Sequence, residues 1–392
     1  MVSPLNPNMA ATFGSPIVES RRWLEGVTFP ADRPLINVSQ AAPMVPPPLP
    51  LREALADIVI NDTDAHLYGA VLGLDGLRAE IARQWTQQYG APVAASQVAI
   101  TAGCNQAFTS VMGTIAGPGD EVILPTPWYF NHKMHLDMTG AVAVPLPCDD
   151  SMIPSAEAAA TLVTDRTRAI VLISPNNPSG AEYPAETLLA FFELARTNGI
   201  ALIVDETYKD FDSRPGPVHT LFSQDGWQDT LIQLYSFSKA YRLTGHRVGA
   251  IVTSADRLLE VEKYMDTVQI CASQIGQRAA LWGMQNLSQW LAGERAEILA
   301  RRAAIENGFS RLKDWKLLGL GGFFAYVEHP FSVDAETAAR RIVQDAGVLL
   351  LPGTMFRPAG DPRGAREFRI AFANIDSAEI ATLFGRLEKL AF

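Results

Sequence analysis

The stretch TLIQLYSFSKAYRLTGHRVGAIVT, residues 230–253, consists of two short apolar runs with a polar, basic segment between them. Aliphatic and β-branched residues dominate both runs, which predicts that each is a strand. Neither run alternates polar with apolar residues, so we expect both faces of these strands to be buried, as in a largely parallel sheet. The segment between the runs carries Lys239 and Arg247. The stretch therefore predicts a buried sheet with cationic side chains at one edge.

Similar apolar runs precede this stretch. They are VAIT (98–101), EVILP (121–125), AIVLIS (169–174) and IALIVDE (200–206). The segments between them have the apolar spacing of helices, and PAETLLAFFELARTNG (184–199) also ends in the glycine typical of a helix terminus. Strands that alternate with helices predict a doubly wound α/β domain.

The chain has 392 residues, which is too long for one small core, so we expect a large and a smaller domain. The expected division is an N-terminal arm and part of the small domain in 1–50, the large domain in 51–285, and the C-terminal small domain in 286–392. Apolar residues in 287–312 are spaced for one stripe of a long helix. Asp376 followed by Glu379 predicts a last helix that begins with a capping box.

The composition excludes several classes of protein. A formal net charge of -10 argues against binding to nucleic acid, whose phosphates attract an excess of Lys and Arg. The three cysteines, Cys104, Cys148 and Cys271, form no metal-binding pattern and cannot all pair, which favours a reducing, cytoplasmic setting. The start MVSPLNPNMAATFGSP lacks the features of a signal peptide, and no apolar run approaches membrane-spanning length.

Ligands of open parallel sheets bind beyond the carboxyl ends of the strands, so candidate binding residues are expected directly after each run. Gly103, Cys104 and Asn105 follow the first run in a turn that enters a helix, and free backbone N–H groups there suit a phosphate. Trp128 follows the second run and Asn177 the third. Taken singly, these residues are better explained as turn formers and a core aromatic.

Asp205 ends an apolar run, which places a carboxylate at the end of a buried strand. Burial of an unpaired carboxylate is costly, so Asp205 needs a cationic or hydrogen-bonding partner. A structural salt bridge and a protonated ring nitrogen are the alternatives. Tyr208 follows on the same loop.

Lys239 is the strongest candidate for a chemical role. A lysine that is partly desolvated and near other cations has a lowered pKa and can act as a nucleophilic amine. Ser236, Ser238 and Arg247 surround it in sequence and could share one phosphate, with the arginine binding in a bidentate manner.

Together these ordered motifs resemble the class I/II aminotransferases of pyridoxal-phosphate (PLP) fold type I, over essentially the whole chain after the N-terminal arm. The resemblance implies a mostly parallel seven-stranded sheet between helices and a smaller α+β domain. It also implies that Lys239 carries PLP as a Schiff base and later moves a proton at the substrate Cα. Asp205 would keep the pyridine nitrogen protonated, Tyr208 and Asn177 would bind the ring's phenolic oxygen, and Trp128 would stack on the ring.

The same resemblance assigns the remaining site residues. The cofactor phosphate would lie among Gly103, Cys104, Asn105, Ser236, Ser238 and Arg247. Tyr68, in HLYGAVLGLDGLR, matches a tyrosine lent to the neighbouring subunit, which implies a homodimer. Arg369, in REFRIAFAN, matches the arginine that binds the substrate α-carboxylate, for which a planar guanidinium is suited.

The sequence departs from the family pattern at a few positions. Ala41 stands where a glycine near the substrate is expected, so the geometry of the substrate carboxylate is expected to change. Asn105 replaces a lysine of aspartate-specific relatives, which favours aromatic or medium apolar substrates over aspartate. Arg357 replaces a small residue, and a surface arginine is favoured over one that binds an acidic substrate. His246 is interpreted as a packing residue.

The leading functional hypothesis is an aminotransferase that moves an amino group from an amino acid to a 2-oxo acid by a ping-pong mechanism. A PLP-dependent β-lyase (C–S lyase) of the same fold is the enzymatic alternative, and it would release pyruvate without an oxo-acid acceptor. A non-catalytic PLP-binding protein is the second alternative. No metal, nucleic acid or membrane is expected to take part.

Overall fold

The computed structural model describes residues 4–390. Its α-helices are α1 (Pro7–Ala11), α2 (Pro16–Arg22), α3 (Leu49–Asn61), α4 (Asp75–Tyr89), α5 (Cys104–Ile115), α6 (Phe130–Thr139), α7 (Ala156–Ala160), α8 (Ala185–Thr197), α9 (Trp227–Thr230), α10 (Phe237–Ala240), α11 (Ala255–Val268), α12 (Gln274–Asn286), α13 (Ser288–Arg311), α14 (Ala335–Ala346) and α15 (Ser377–Leu387). Its strands are β1 (Ile36–Asn37), β2 (Val98–Thr101), β3 (Glu121–Thr126), β4 (Val142–Pro147), β5 (Thr167–Ile173), β6 (Ala201–Asp205), β7 (Leu231–Ser236), β8 (Gly249–Val252), β9 (Lys316–Gly321), β10 (Phe324–Glu328), β11 (Val348–Leu349), β12 (Leu351–Pro352) and β13 (Glu367–Ala371).

The larger sheet has seven strands in the order β2-β8-β7-β6-β5-β3-β4. The strands from β7 to β4 pair in parallel, and β8 pairs antiparallel with both of its neighbours. This sheet confirms the mostly parallel seven-stranded architecture. Each of the six apolar runs identified in the sequence is one of its strands, and β4 is the member that was not anticipated.

Alternate residues of the central strands enter two different cores. Ile170 and Leu202 pack in one core, whereas Val171 and Ile203, their neighbours in sequence, pack in the other. Both faces of the sheet are therefore covered, which explains why these strands are apolar throughout.

The second sheet is antiparallel and four-stranded, in the order β12-β13-β10-β9. It packs with α13, α14 and α15 in a third core, which also takes Trp23, Ile36 and Val38 from the N-terminal part of the chain. β1 pairs in parallel with β11. The first segment of the chain is thus built into the smaller α+β unit.

Two local helix predictions are confirmed. The helix expected over 287–312 is α13. α15 begins with a capping box, in which the Asp376 carboxylate accepts from the Glu379 N–H at 2.8 Å and the Glu379 side chain accepts from the Asp376 N–H at 3.0 Å. Within residues 4–390, no helix is both long and apolar enough to cross a membrane.

Candidate active site

A cavity of about 470 Å³ opens at the edge where the parallel strands of the large sheet end. Antiparallel β8 starts at the same edge, so the loop before it also reaches the cavity. Most residues singled out in the sequence line it, namely Ala41, Cys104, Asn105, Asn177, Asp205, Tyr208, Ser236, Ser238, Lys239, Arg247 and Arg369. The fold thus brings together residues from distant parts of the chain.

Lys239 lies on the short helix α10, directly after β7. Its Nζ donates a hydrogen bond to the carbonyl oxygen of Ala41 at 2.7 Å. Burial, together with the positive charges of Arg247 and Arg369, lowers the pKa of Lys239 to about 8. A larger fraction of this amine is therefore neutral near pH 7 than for a solvated lysine, and the neutral amine is the nucleophile.

Asp205 is buried at the end of β6. One carboxylate oxygen accepts from the Thr207 N–H at 3.0 Å, and the other lies 3.6 Å from Nε2 of His132. Burial lowers the pKa of His132 to about 3, so this imidazole is neutral. Burial also raises the pKa of Asp205. Among the described residues, Asp205 has no cationic hydrogen-bonding partner, and the cavity side of the carboxylate is open to one.

Gly103 and Arg247 approach each other closely at the start of α5. Gly103 has φ +83 and precedes the first residue of α5, and a Cβ built on it would lie 2.2 Å from Nη2 of Arg247. Arg247 donates to Oγ of Ser238 at 3.3 Å and to the carbonyl oxygen of Thr244 at 3.1 Å. The N-terminus of α5, a hydroxyl and a guanidinium therefore converge, which is an arrangement that suits a phosphate.

Arg369 enters the cavity from β13 of the smaller sheet. It donates to Oδ1 of Asn177 at 3.0 Å and to the carbonyl oxygen of Ser39, and its buried Nε has no partner. Its guanidinium lies over the rings of Phe324 and Phe356, 5.1 and 4.8 Å from their centroids. Burial lowers its pKa to about 10. A buried cation that is bonded only to neutral groups is suited to an anionic ligand.

The structure places Trp128 outside the cavity, so it does not support the expected role of Trp128 as the aromatic platform. Trp128 is buried outside the cavity and lines a small neighbouring recess with His132, whereas Tyr129 lines the main cavity. The backbone N–H of Trp128 donates to the carbonyl oxygen of Phe356 at 2.7 Å, and the next residue, Tyr129, is the N-cap of α6. The chain direction at this turn therefore points Tyr129 inward.

His132 is a further residue of this region that the sequence analysis missed. It lies on α6 three positions after Tyr129, so the two side chains share one face of the helix. Its ring stacks on Phe108 at 3.9 Å between centroids. The spacing of three residues between Tyr129 and His132 predicts that they share a helix face. That spacing points to the cavity only if Tyr129, and not Trp128, faces it.

Arg357 is not the surface arginine that was expected. Its side chain is buried and forms a two-pronged ion pair with Glu367, including a 2.8 Å contact from Nη2. Tyr326 also donates to this carboxylate, at 2.9 Å. Because Arg357 is already neutralised by Glu367, it has no charge left for a substrate.

Ala41 and Tyr68 occupy very different environments. Ala41 is buried and lies outside the positive-φ region, so its methyl group imposes no backbone strain at the position where glycine was expected. Tyr68 is 80% exposed and does not line the cavity of its own chain. His246 is partly buried, and its backbone carbonyl oxygen lies close to Gly276.

Comparison with known proteins identifies the family. The model of "Aminotransferase class I and II" matches residues 33–387. The chain belongs to this family. The protein is therefore an aminotransferase that uses pyridoxal phosphate.

Relatives of this aminotransferase differ in the substrates that their names give. An arginine–pyruvate transaminase of Pseudomonas aeruginosa is 31% identical over 83% of this chain and 83% of its own. An aromatic aminotransferase of Arabidopsis thaliana is 28% identical over 86% of this chain and 84% of its own. An aspartate aminotransferase of Thermus thermophilus, solved with maleate, superimposes with a TM-score of 0.89 at 23% identity, covering 99% of this chain and 100% of its own. That structure establishes the fold as type I.

The cavity of this aminotransferase fits the cofactor on two observations. The buried carboxylate of Asp205 has an open side that a protonated pyridine nitrogen would fill. The close approach of Gly103 to Arg247 leaves backbone N–H groups and a guanidinium around a space suited to the cofactor phosphate. Lys239 lines the same cavity.

Proposed function

We propose that Lys239 carries the cofactor and moves the proton during amino transfer from an amino acid to a 2-oxo acid by a ping-pong mechanism. The observation that carries this proposal is that Lys239 lines one cavity with Asp205, Arg247 and Arg369, where its pKa is lowered to about 8. A lysine with a pKa of about 8 can accept a proton from the substrate Cα near neutral pH and donate it to a different carbon atom.

The remaining cavity residues hold and tune the cofactor in this proposal. Bound pyridoxal phosphate withdraws electrons from the substrate and so makes its Cα proton acidic. Asp205 accepts a hydrogen bond from the ring nitrogen and favours its protonated form. Tyr208 and Asn177 bind the phenolic oxygen, and Tyr129 packs on the ring. The phosphate is held by the residues that meet at the start of α5, which are Gly103, Cys104, Asn105, Ser236, Ser238 and Arg247.

Arg369 binds the α-carboxylate of either substrate. Its unpartnered Nε and the lack of any acidic side chain bonded to it, among the described residues, support this role. Asn177 accepts from the same guanidinium, and the backbone of Ser39 fixes its other side. The substrate is thereby oriented with its Cα toward Lys239, which raises the effective concentration of the base.

We further propose that the protein is a cytoplasmic homodimer in which Tyr68 reaches the cofactor phosphate of the neighbouring subunit. Tyr68 is 80% exposed, and the N-terminal third of the chain has other exposed apolar side chains, including Ile60 at 76% and Met44 at 71%. Exposed apolar surface of this kind is typical of a subunit interface. The three cysteines are unpaired, which fits a reducing compartment.

The test is spectroscopic. Purified holoenzyme is titrated with single amino acids in the absence of any oxo acid, and the visible absorption of the lysine-bound cofactor is followed. Amino transfer requires that certain amino acids convert this band to that of pyridoxamine phosphate, and that a 2-oxo acid restores it. Release of pyruvate without an acceptor would instead indicate a β-lyase, and a band that no amino acid changes would indicate a non-catalytic binder.

A further inference from the structure

The segment of the chain that carries Ala41 contributes to two cavities. Gln40 and Ala41 line the active-site cavity, whereas Pro43 lines a second cavity of about 370 Å³. Lys239 lines both cavities. The segment of residues 39–43 therefore borders the reactive amine, and a shift of this segment changes the active site.

Two carbonyl oxygens of this segment hold the two cations that act on the substrate in the proposed function. The carbonyl oxygen of Ser39 accepts from Arg369, and that of Ala41 accepts from Nζ of Lys239 at 2.7 Å. These acceptors are two residues apart in the chain. If the segment moves, the base and the carboxylate-binding arginine lose their acceptors together, which is costly for buried donors.

Backbone hydrogen bonds hold the start of this segment but not the part that contacts the cations. The Val38 N–H donates to the carbonyl oxygen of Leu349 at 2.9 Å, and the Val38 carbonyl oxygen accepts from the Ala371 N–H at 2.8 Å. Among the described residues, the backbone of 39–43 forms no backbone–backbone hydrogen bond with another element. The position of the two acceptor carbonyls therefore depends on bonds to side chains.

Asn374 supplies such bonds with both ends of its carboxamide. Its Oδ1 accepts from the Ala42 N–H at 3.0 Å, and its Nδ2 donates to the carbonyl oxygen of Gln40. Nδ2 also lies 3.4 Å from the carbonyl oxygen of Asn37. Asn374 lies just beyond β13, five residues after Arg369. One stretch of chain thus supplies both the arginine and the side chain that holds the arginine's acceptor in place.

We propose that Asn374 is a positioning residue for amino transfer. By holding the peptide groups next to the two acceptor carbonyls, it fixes those carbonyls and, through them, Arg369 and Lys239. This inference rests on the proposed function of these two cations. The free amine of Lys239 is the form that bonds to Ala41, and it is also the form that accepts a proton from the substrate Cα. Asn374 therefore acts on proton transfer and substrate alignment, and not on capture of the cofactor.

This role requires the chemistry of an amide and not only its shape. A carboxamide is an acceptor at one end and a donor at the other, which matches an N–H and a carbonyl oxygen of the segment. In Asn374→Asp, the second oxygen would face the carbonyl oxygen of Gln40, so repulsion replaces a hydrogen bond. This variant preserves the packing of the side chain, whereas Asn374→Ala removes both bonds.

The experiment compares these two variants with wild type in three measurements. Holoenzyme is mixed with an amino acid that carries hydrogen or deuterium at Cα, and the single-turnover change of the cofactor band is followed. Calorimetry measures binding of butyrate, an unreactive monocarboxylate, to the holoenzyme, and fluorescence titration measures binding of PLP to the apoenzyme. Asn198→Ala is the control, because Asn198 also donates to a backbone carbonyl, that of Leu194 at 2.8 Å, but lies outside the cavity.

We expect both Asn374 variants to slow the change of the cofactor band by roughly tenfold or more, because a misplaced base is far less effective. The deuterium isotope effect should be no smaller than in wild type, since proton transfer is the step that is slowed. Butyrate should bind roughly three- to tenfold more weakly, as expected from the loss of one hydrogen bond that orients Arg369. PLP affinity should stay within about twofold of wild type, because Arg247 and Ser238 bond to each other and not to this segment.

Asn374→Asp with wild-type rates would overturn the proposal, because shape alone would then be sufficient. So would a smaller isotope effect, a loss of PLP affinity equal to the loss of rate, or the same losses in Asn198→Ala. If no amino acid changes the band of the wild-type enzyme, the amino-transfer proposal fails. Butyrate binding, which does not depend on turnover, would still decide whether Asn374 positions Arg369: unchanged affinity in both variants would refute it.

Discussion

Nζ of Lys239 donates to the carbonyl oxygen of Ala41 across 2.7 Å, which joins the end of the large sheet to the N-terminal segment of the smaller unit. The bond fixes the amine at the boundary between two separately packed cores. It also explains how alanine is accommodated at position 41, since the interaction uses the backbone carbonyl and the residue lies outside the positive-φ region. The reactive amine is therefore positioned before any ligand arrives.

The lowered pKa of Lys239 gives a distinct pH dependence. Only the neutral amine adds to an aldehyde, so the rate at which apoenzyme reacts with pyridoxal should rise with pH and level off above about 8. Pyridoxal is chosen because it lacks the phosphate that would neutralise Arg247. The rate is read from the growth of the visible band, with Lys239→Ala subtracted as the control for other lysines. A midpoint near 10.4, the value of a solvated lysine, would show that the site leaves this amine unperturbed.

Even a methyl side chain at position 103 should weaken binding of PLP. In Gly103→Ala the new methyl group meets the Arg247 guanidinium, so Arg247 must move from the phosphate position. Loss of one charged hydrogen bond of about 1.5–3 kcal/mol weakens PLP binding by roughly 10- to 100-fold. Gly119→Ala is the matched control, because Gly119 has a similar φ of +86 but nothing within 4 Å of the added methyl group. If both variants lose PLP affinity equally, backbone strain and not the displacement of Arg247 is responsible.

Tyr129, and not Trp128, should influence the cofactor. Tyr129→Leu removes the ring that lines the cavity, and aromatic packing of about 0.5–1.5 kcal/mol corresponds to a roughly two- to tenfold loss of PLP affinity with a shifted absorption band. Trp128 lies outside the cavity, so Trp128→Phe should leave the absorption band of the cofactor unshifted. Fluorescence titration of the apoenzyme with PLP measures both variants. The reverse pattern would restore Trp128 as the platform.

The buried pair of Arg357 and Glu367 should act on stability. Arg357→Met leaves the Glu367 carboxylate buried without its cation, and the free energy of unfolding should fall by about 3–5 kcal/mol in denaturant titrations. Arg357→Met combined with Glu367→Leu should recover much of this loss, because neither charge then remains. Lys263→Met, in an exposed pair with Glu260, is the control and should leave stability nearly unchanged. A double variant no better than the single one would contradict this explanation.

The sequence predicted the buried strands of the large sheet but not its edge strand β4. Runs such as IALIVDE are apolar on both faces, and this pattern has few alternative interpretations. β4 was missed because it is an edge strand, largely exposed, with Pro145 and Pro147 in positions that a central strand would exclude.

For the active site, the sequence did not predict the direction in which individual side chains point. Residues at or just beyond the ends of strands, such as Asp205 and Lys239, follow from the topology, because the carboxyl ends of parallel strands share one edge. Whether Trp128 or Tyr129 faces the cavity depends on how the chain turns into α6, which composition does not encode. The burial of Arg357 likewise depends on Glu367, a partner on β13 whose position is fixed only by the folded sheet.

The most direct test of the proposed role of Lys239 is chemical capture of the cofactor. Holoenzyme is reduced with borohydride, digested, and analysed by mass spectrometry for a peptide that carries a phosphopyridoxyl group. We expect this group on Lys239 alone, in the peptide that contains Ser236 and Ser238. Stoichiometric labelling of another lysine, or reduced enzyme with intact PLP binding but an unmodified Lys239, would contradict the assignment of this residue and with it the mechanism built on it.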